Sequence, residues 1–241
     1  MRLPSRAVVL MAVAALPLAL SACSSGSSSD SGTGAGTGSG ASAAPAKAKN
    51  TDAAALPTGT QLKKALAPAS AFPAGLTLES DGSADSGGRL LSPAARKTGK
   101  PDCTRLETTS WIQVSGYKGG VSFAQNGYAN QTEEVDQEID AFQGTTATDV
   151  MKALRSVAAA CATYTDTDAH AKVKLTGSAT PGLADEAYTM TLTSGSWENG
   201  TTLIAARSGN SVVTVLSTAG TDDGAASAKK VTTTVLAALK K

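Results

Sequence analysis

Three cysteines and one histidine are the residues of this 241-residue chain whose side chains best suit metal binding or nucleophilic catalysis. A zinc ribbon or an iron–sulfur cluster needs about four such ligands at set spacings, so the sequence predicts neither. The nucleophile motif G-x-S-x-G of serine hydrolases does not occur, and the glycine-rich residues 32–40 lack the lysine of a phosphate-binding loop. We therefore expect no catalytic residues, no metal and no cofactor.

Cys23 is predicted to carry a membrane anchor. Two arginines precede an apolar run at residues 7–20, which is too short to span about 30 Å of hydrocarbon and is typical of a cleavable secretion signal. The sequence LSAC at residues 20–23 resembles the bacterial lipobox, in which the cysteine is acylated and becomes the first mature residue. The alternative is an ordinary signal peptide with a chance cysteine. We expect lipidation at Cys23 and a location on the extracytoplasmic face of the cell membrane.

Cys103 and Cys161 are the cysteines that remain after lipidation, and an exported chain meets an oxidising environment. These two residues are therefore predicted to form a disulfide. The chain-entropy model gives about 4 kcal/mol for closing a loop of this length. The alternative is a catalytic thiol that uses His170, but Cys161 lies on the predicted buried stripe of a helix, which is a poor position for attack.

Four carboxylates alternate along one predicted strand and therefore project from the same face, about 7 Å apart. They are Glu134, Asp136, Glu138 and Asp140. Like charges at this spacing need cations, cross-strand lysines or open water. Lys172 and Lys174 are candidate partners. The pattern favours a solvated structural face and leaves open a surface for a cation or a basic ligand.

Two further groups of residues could form sites. Asp166, Asp168 and His170 in the segment TDTDAH offer metal ligands, but the spacing differs from a calcium-binding EF-hand loop and favours a solvated turn. Five aromatic residues could line a groove, although core packing is the usual role of each. The five are Trp111, Tyr117, Tyr128, Tyr188 and Trp197.

The chain divides into three predicted regions. Residues 1–22 form the lipoprotein signal peptide. Residues 23–57 are rich in Ser, Gly and Ala without hydrophobic periodicity, so they are predicted to be a flexible tether. Residues 58–241 have the length of one domain. The ligand-binding residues of this domain cannot be read from the sequence.

The domain is predicted to belong to the α+β class, with a twisted antiparallel sheet packed against helices. The expected order begins with a short helix capped by Thr58 or Thr60, a strand at residues 75–79 and a long loop at 80–100. Strands near residues 121–123 and 133–142 and a helix from Thr148 follow. Strands are then predicted at 171–177, 186–193, 201–207 and 211–218, of which three, joined by short turns, predict an antiparallel meander. A last helix capped by Thr221 ends the chain.

The order of these elements resembles the PknH-like extracellular sensor domain of actinobacterial receptor kinases and free-standing lipoproteins. The resemblance is carried by residues 62–68, by the sequence FPAG at 72–75, by the acidic strand TEEVDQEIDAF before a helix that ends in AAAC, and by the strands of LIAARSGNSVVTVLST. It implies an α+β domain with a groove for an unidentified ligand. The sensor domains of the receptor kinases resemble a form of this domain that contains two disulfides, whereas this chain can form one.

We expect a non-catalytic domain that binds or senses an unidentified cell-envelope ligand or protein. The membrane is an expected partner through the N-terminal lipid, and the formal charge of +1 argues against nucleic acid. The first alternative is a lipid or glycolipid carrier, which would need an apolar cavity. The second is an enzyme, which would need convergent polar residues with perturbed pKa values.

Overall fold

An eight-stranded antiparallel sheet forms the centre of the protein, with strand order β1-β2-β3-β8-β7-β6-β5-β4. The computed structural model describes residues 56–85, 101–109, 111–114, 121–167 and 169–240. The strands are β1 (Thr77–Asp85), β2 (Ser122–Ala129), β3 (Glu134–Ala141), β4 (Thr163–Asp166), β5 (Ala171–Ala179), β6 (Glu186–Ser194), β7 (Thr201–Ser208) and β8 (Ser211–Ser217). Strands β6 to β8 pair in chain order, which confirms the predicted C-terminal meander, and β5 and β4 continue that order.

Four α-helices and two 3-10 turns pack on the sheet. The helices are α1 (Gly59–Ala65), α2 (Trp111–Val114), α3 (Thr146–Ala160) and α4 (Ala225–Leu239), and the 3-10 turns are Ala69–Ala71 and Cys103–Glu107. The predicted α+β class is confirmed. None of the helices within the described ranges is long and apolar enough to cross a membrane.

The two faces of the sheet are covered over different strands. On one face, here called the α4 face, α1 packs on β1 and β2, and α4 packs on β8, β7 and β3. On the opposite face, here called the α3 face, α3 packs on β5, β6 and β7, and the turn Cys103–Glu107 and α2 extend that cover. Each face therefore has a half with a helical cover and a half without one among the described residues.

The apolar stripe of α3 follows the predicted helical spacing. Its buried members are Val150, Met151, Leu154, Val157 and Ala158. They pack against the α3 face of the sheet in the same apolar cluster as Cys161, which directly follows the helix. Burial of apolar stripes of this kind is the main favourable contribution to the stability of the fold.

The helix starts agree with the prediction at α1 and differ at α4. Thr58 caps α1 in a capping box with Gln61, in which each side chain accepts a hydrogen bond from the backbone of the other. The predicted cap of α4 at Thr221 is wrong, because Gly224 occupies that position with φ of 79°. A Cβ on Gly224 would lie 2.0 Å from the Ser217 carbonyl oxygen, so the close approach to β8 requires glycine.

Two strands depart from the sequence prediction. Ser80–Asp85 are expected within a long loop, but they continue β1 in its pairing with β2. Two contacts tie this part of the strand to α1: the Gly59 amide donates to Asp85 Oδ1 at 2.7 Å, and Lys63 Nζ lies 2.6 Å from Asp81 Oδ2. The rest of that predicted loop lies outside the described residues. Strand β4 was not predicted, and its four residues form through pairing with β5. Tertiary contacts outweigh weak strand propensity in both segments.

Candidate functional site

The four carboxylates of β3 project from its α3 face and form the acidic row, defined by Glu134, Asp136, Glu138 and Asp140. Its neighbours across the strand pairs are mixed in size and polarity on both sides, and Phe123 of β2 and Val212 of β8 lie opposite Asp140. Gly127 and Gln125 lie opposite Asp136 and Glu138 on β2, and Leu216 and Thr214 lie opposite the same two residues on β8. The row runs along the edge of the cover that the described helices form on this face.

Burial shows that the favoured interpretation of a solvated acidic face is wrong. Asp140 is 1% exposed, and the other three carboxylates are half-buried. The predicted lysine partners are also wrong. Lys172 and Lys174 lie on β5, four strands from β3 or about 19 Å, and they project from the α4 face. Alternation in sequence placed the carboxylates on one face, but the identity of the neighbouring strands decided their environment.

Asp136 occupies space that the absent side chain of Gly127 leaves open. A Cβ on Gly127 would lie 2.0 Å from Asp136 Oδ1 and 2.8 Å from Ser80 Oγ. No described residue donates a hydrogen bond to the Asp136 carboxyl group. Burial, followed by the negative charges of Glu134 and Glu138, raises the pKa of Asp136 to about 7. This carboxyl group can therefore gain or lose a proton near neutral pH.

Glu138 forms hydrogen bonds to Asp140 on its own strand and to Thr109, which precedes α2. Burial, the charge of Asp140 and the hydrogen bond between the two carboxyl groups raise the pKa of Glu138 well above its usual value, and the Thr109 hydrogen bond opposes that shift. Two carboxyl groups in hydrogen-bond contact hold a proton between them more readily than either does alone.

Trp111 of α2 anchors the cover beside the acidic row. The indole ring is buried, and its Nε1 donates to Thr214 Oγ1 at 2.9 Å. Thr214 lies opposite Glu138 across the β3–β8 pair. The row thus combines proton-binding carboxyl groups with a buried indole ring beside them, an arrangement that suits binding of a polar or basic group.

The four of these aromatic residues that lie in the described ranges are divided between the two faces, so the structure does not bring those four into one groove. Tyr128 lies on the α4 face, with its ring centroid 4.1 Å from that of Phe72. Tyr188 and Trp197 pack at the edge of the apolar cluster on the α3 face, the face that also holds Trp111. Tyr117 lies outside the described residues.

The segment before β5 forms a turn. His170 is exposed with φ of 50°, and the Asp166 carboxylate accepts a hydrogen bond from the Ala169 amide at 3.1 Å. Asp168 lies outside the described residues. Across the part of the chain that the structure describes, no three His, Cys, Asp or Glu side chains are grouped so that they could hold a metal ion.

Cys103 and Cys161 are joined by a disulfide with an S–S distance of 2.01 Å. The bond ties the turn Cys103–Glu107 to the end of α3. Tyr164 Oη adds a second link by donating to Glu107 Oε1 at 2.7 Å. Cys23 lies outside the described residues, so its lipidation remains a prediction.

Gln137 has a role that the sequence analysis missed. It is completely buried on the α4 face of β3, where Oε1 accepts from the Ala67 amide and Nε2 donates to the Ala67 carbonyl oxygen, each at 3.0 Å. Nε2 also donates to Asn126 Oδ1 at 2.7 Å. The available signal was a polar residue between Val135 and Ile139 on the apolar face of the predicted strand.

Comparison with known proteins identifies a shared fold. No family model and no curated protein sequence matches this chain. Among solved structures, the chain is similar to the extracellular domain of PknH from Mycobacterium tuberculosis, with a TM-score of 0.53 and 16% sequence identity. The match covers 77% of this chain and 98% of that domain. At this level of identity the comparison shows the fold alone.

Proposed function

We propose that the chain is an exported, lipid-anchored surface lipoprotein whose domain binds or senses a ligand without catalysing a reaction. The observation that carries this proposal is the fold shared with the extracellular domain of PknH along nearly that domain's whole length. The predicted signal peptide and Cys23 agree with a position outside the cytoplasm.

The chemistry of the domain supports a binding role. Both of its cysteines are committed to the disulfide, which leaves no thiolate for nucleophilic attack. His170 lies exposed in a turn between β4 and β5. The acidic row offers carboxyl groups, three of them half-buried, beside a part of the sheet that no helix of the described ranges covers, and it is the surface that we assign to ligand contact. A basic group on a ligand would attract the ionised carboxylates of the row and would offset the repulsion among them.

Ligand binding is tested by thermal unfolding of the purified protein with fractionated cell-envelope extracts. A ligand that binds the folded state should stabilise it by RT ln(1 + [L]/Kd), or about 2.7 kcal/mol when its concentration is a hundred times Kd. Glu134→Gln combined with Asp136→Asn should reduce this shift, whereas Lys229→Gln combined with Lys230→Gln on the exposed side of α4 should not. The absence of stabilisation by any fraction would oppose the proposal. Stoichiometric lipid in an organic extract of the protein would favour the carrier alternative instead.

The anchor is tested by metabolic labelling with a fatty acid. The wild-type protein should carry the label and fractionate with membranes, and Cys23→Ala should lose both properties. Cys103→Ala combined with Cys161→Ala is the matched control, because it removes two cysteines and leaves the lipidation sequence intact. Unlabelled wild-type protein in the culture medium would contradict the anchor while leaving the binding role open.

A further inference from the structure

The α4 face over β4, β5 and β6 has no helical cover among the described residues, since α4 packs mainly on β7, β8 and β3. Nine side chains that end in a hydroxyl or an ammonium group project from this half, and we call them the hydroxyl–lysine face. They are Thr163, Thr165, Lys172, Lys174, Thr176, Ser178, Thr189, Thr191 and Thr193. The three strands place no carboxylate and no aromatic ring among them.

The two lysines of this face carry its charge without compensation. Within the described part of the chain, Lys172 and Lys174 have neither an ion pair nor a hydrogen bond, and both are exposed. Lys63, by contrast, lies against Asp81, and Arg207 lies 3.3 Å from Asp185. The hydroxyl–lysine face is thus a positively charged sheet surface, and it complements an anionic partner.

Strand register places hydroxyl groups beside each ammonium group. Lys174 lies between Thr163 of β4 and Thr193 of β6, and Lys172 lies opposite Thr165. Paired strands are about 4.8 Å apart, and alternate residues along a strand are about 7 Å apart. A hydroxyl group both donates and accepts hydrogen bonds, whereas an ammonium group only donates. The face therefore offers a regular array that can meet carboxylates and hydroxyl groups together.

We propose that the hydroxyl–lysine face binds an anionic polysaccharide. The lysines would meet its carboxylates, and the threonine rows would exchange hydrogen bonds with its hydroxyl groups. A neutral sugar would lack the charge attraction and would find no aromatic ring on which to stack. This face lies on the opposite side of the sheet from the acidic row, so the proposal can hold or fail independently of the ligand assigned to that row.

The test measures binding of the purified full chain to polygalacturonate at 0.15 M salt, with neutral dextran and inorganic polyphosphate as comparison probes. We expect polygalacturonate to bind, dextran not to bind, and polyphosphate to bind at least threefold more weakly because it lacks hydroxyl groups on sugar rings. Lys172→Glu combined with Lys174→Glu should weaken polygalacturonate binding at least tenfold. Thr176→Val combined with Thr191→Val should weaken it severalfold while both lysines remain.

The matched control is Lys229→Glu combined with Lys230→Glu, two exposed lysines of α4 that change the net charge by the same amount. This control should change binding less than twofold, and circular dichroism should show that every variant is folded. Equal losses in the two double lysine variants would overturn the proposal, because binding would then depend on net charge alone. Failure of polygalacturonate to bind, binding of dextran, or polyphosphate binding that equals that of polygalacturonate would overturn it as well.

Discussion

The two faces of β3 place adjacent residues in opposite situations. On the α4 face, Gln137 is completely buried and its amide group makes three hydrogen bonds. On the α3 face, the neighbouring Asp136 is half-buried and receives no hydrogen bond from a described residue. A buried polar group with complete hydrogen bonding fixes one arrangement of the chain, whereas a buried acid without donors responds to pH.

The surroundings of Gln137 and Asp136 have opposite effects on the stability of the folded protein. Gln137 satisfies the amide and carbonyl groups of Ala67, which follows α1, and so joins the N-terminal segment to the centre of the sheet. Asp136 is removed from water and lies near the negative charges of Glu134 and Glu138, and both effects disfavour its ionised form. The first residue stabilises the fold, and the second reduces its stability whenever it ionises.

Gln137→Ala should produce the largest effect, because it removes the hydrogen bonds to both backbone groups of Ala67 and leaves a cavity. We expect the free energy of unfolding in urea to fall by about 3–5 kcal/mol, since unsatisfied buried groups cost about 1–3 kcal/mol each. Gln125→Ala on the half-buried side of β2 is the control and should cost less than about 1 kcal/mol. Equal losses of unfolding free energy in these two variants would contradict the difference that we describe between the two faces of β3.

The free energy of unfolding should depend on pH through the protonation of Asp136. Its folded-state pKa of about 7 lies above the ordinary value of 3.8, so the native state holds a proton that the unfolded state has released. The contribution of protonated Asp136 to the free energy of unfolding is fully present below about pH 4 and is lost as the pH rises through about 7. Asp136→Asn should therefore be more stable than wild type by about 2–3 kcal/mol at pH 8 and should lose that advantage at pH 4.

Urea unfolding from pH 4 to pH 8 at constant salt measures this difference. Glu198→Gln, at an exposed position between β6 and β7, is the control and should run parallel to wild type over the same range. Parallel curves for Asp136→Asn and wild type would show that Asp136 has an ordinary environment.

Gly127→Ala should destabilise the protein by about 1–2 kcal/mol, because the new methyl group would occupy the position of Asp136 Oδ1. Asp136→Ala in the same chain should relieve this cost, so the double variant should be more stable than the sum of the two single changes indicates. A double-mutant cycle of unfolding free energies gives the coupling. Additive effects would mean that the two side chains do not share this space.

Thr109→Val should have the smallest effect, about 1 kcal/mol, because it removes one hydrogen bond to Glu138 and keeps the shape of the side chain. That bond lowers the pKa of Glu138, so its loss should raise this pKa further. Carboxyl NMR titration of Glu138 in the variant and in wild type would test the direction of the shift. Thr108→Val, one residue earlier in the same segment, is the comparison and should leave the titration unchanged.

Features that depend on local chemistry could be read from the sequence. The capping residue Thr58 and the apolar stripe of α3 depend on neighbours within a few positions. Alternation along β3 placed its four carboxylates on one face for the same reason. The pairing of Cys103 with Cys161 followed from the count of cysteines that remain once Cys23 is predicted to be lipidated and the chain to be exported.

The surroundings of those residues depended on contacts between distant segments. Strand β3 pairs with β8, which lies about 70 residues later in the chain, and this pairing separates the acidic row from the lysines of β5. The length of β1, the start of α4 at Gly224 and the burial of Gln137 have the same origin. Periodicity reports which side chains share a face, but it carries no information about which strand becomes the neighbour. The partner strand sets desolvation and hydrogen bonding, so the tertiary structure alone decided that the acidic row is half-buried.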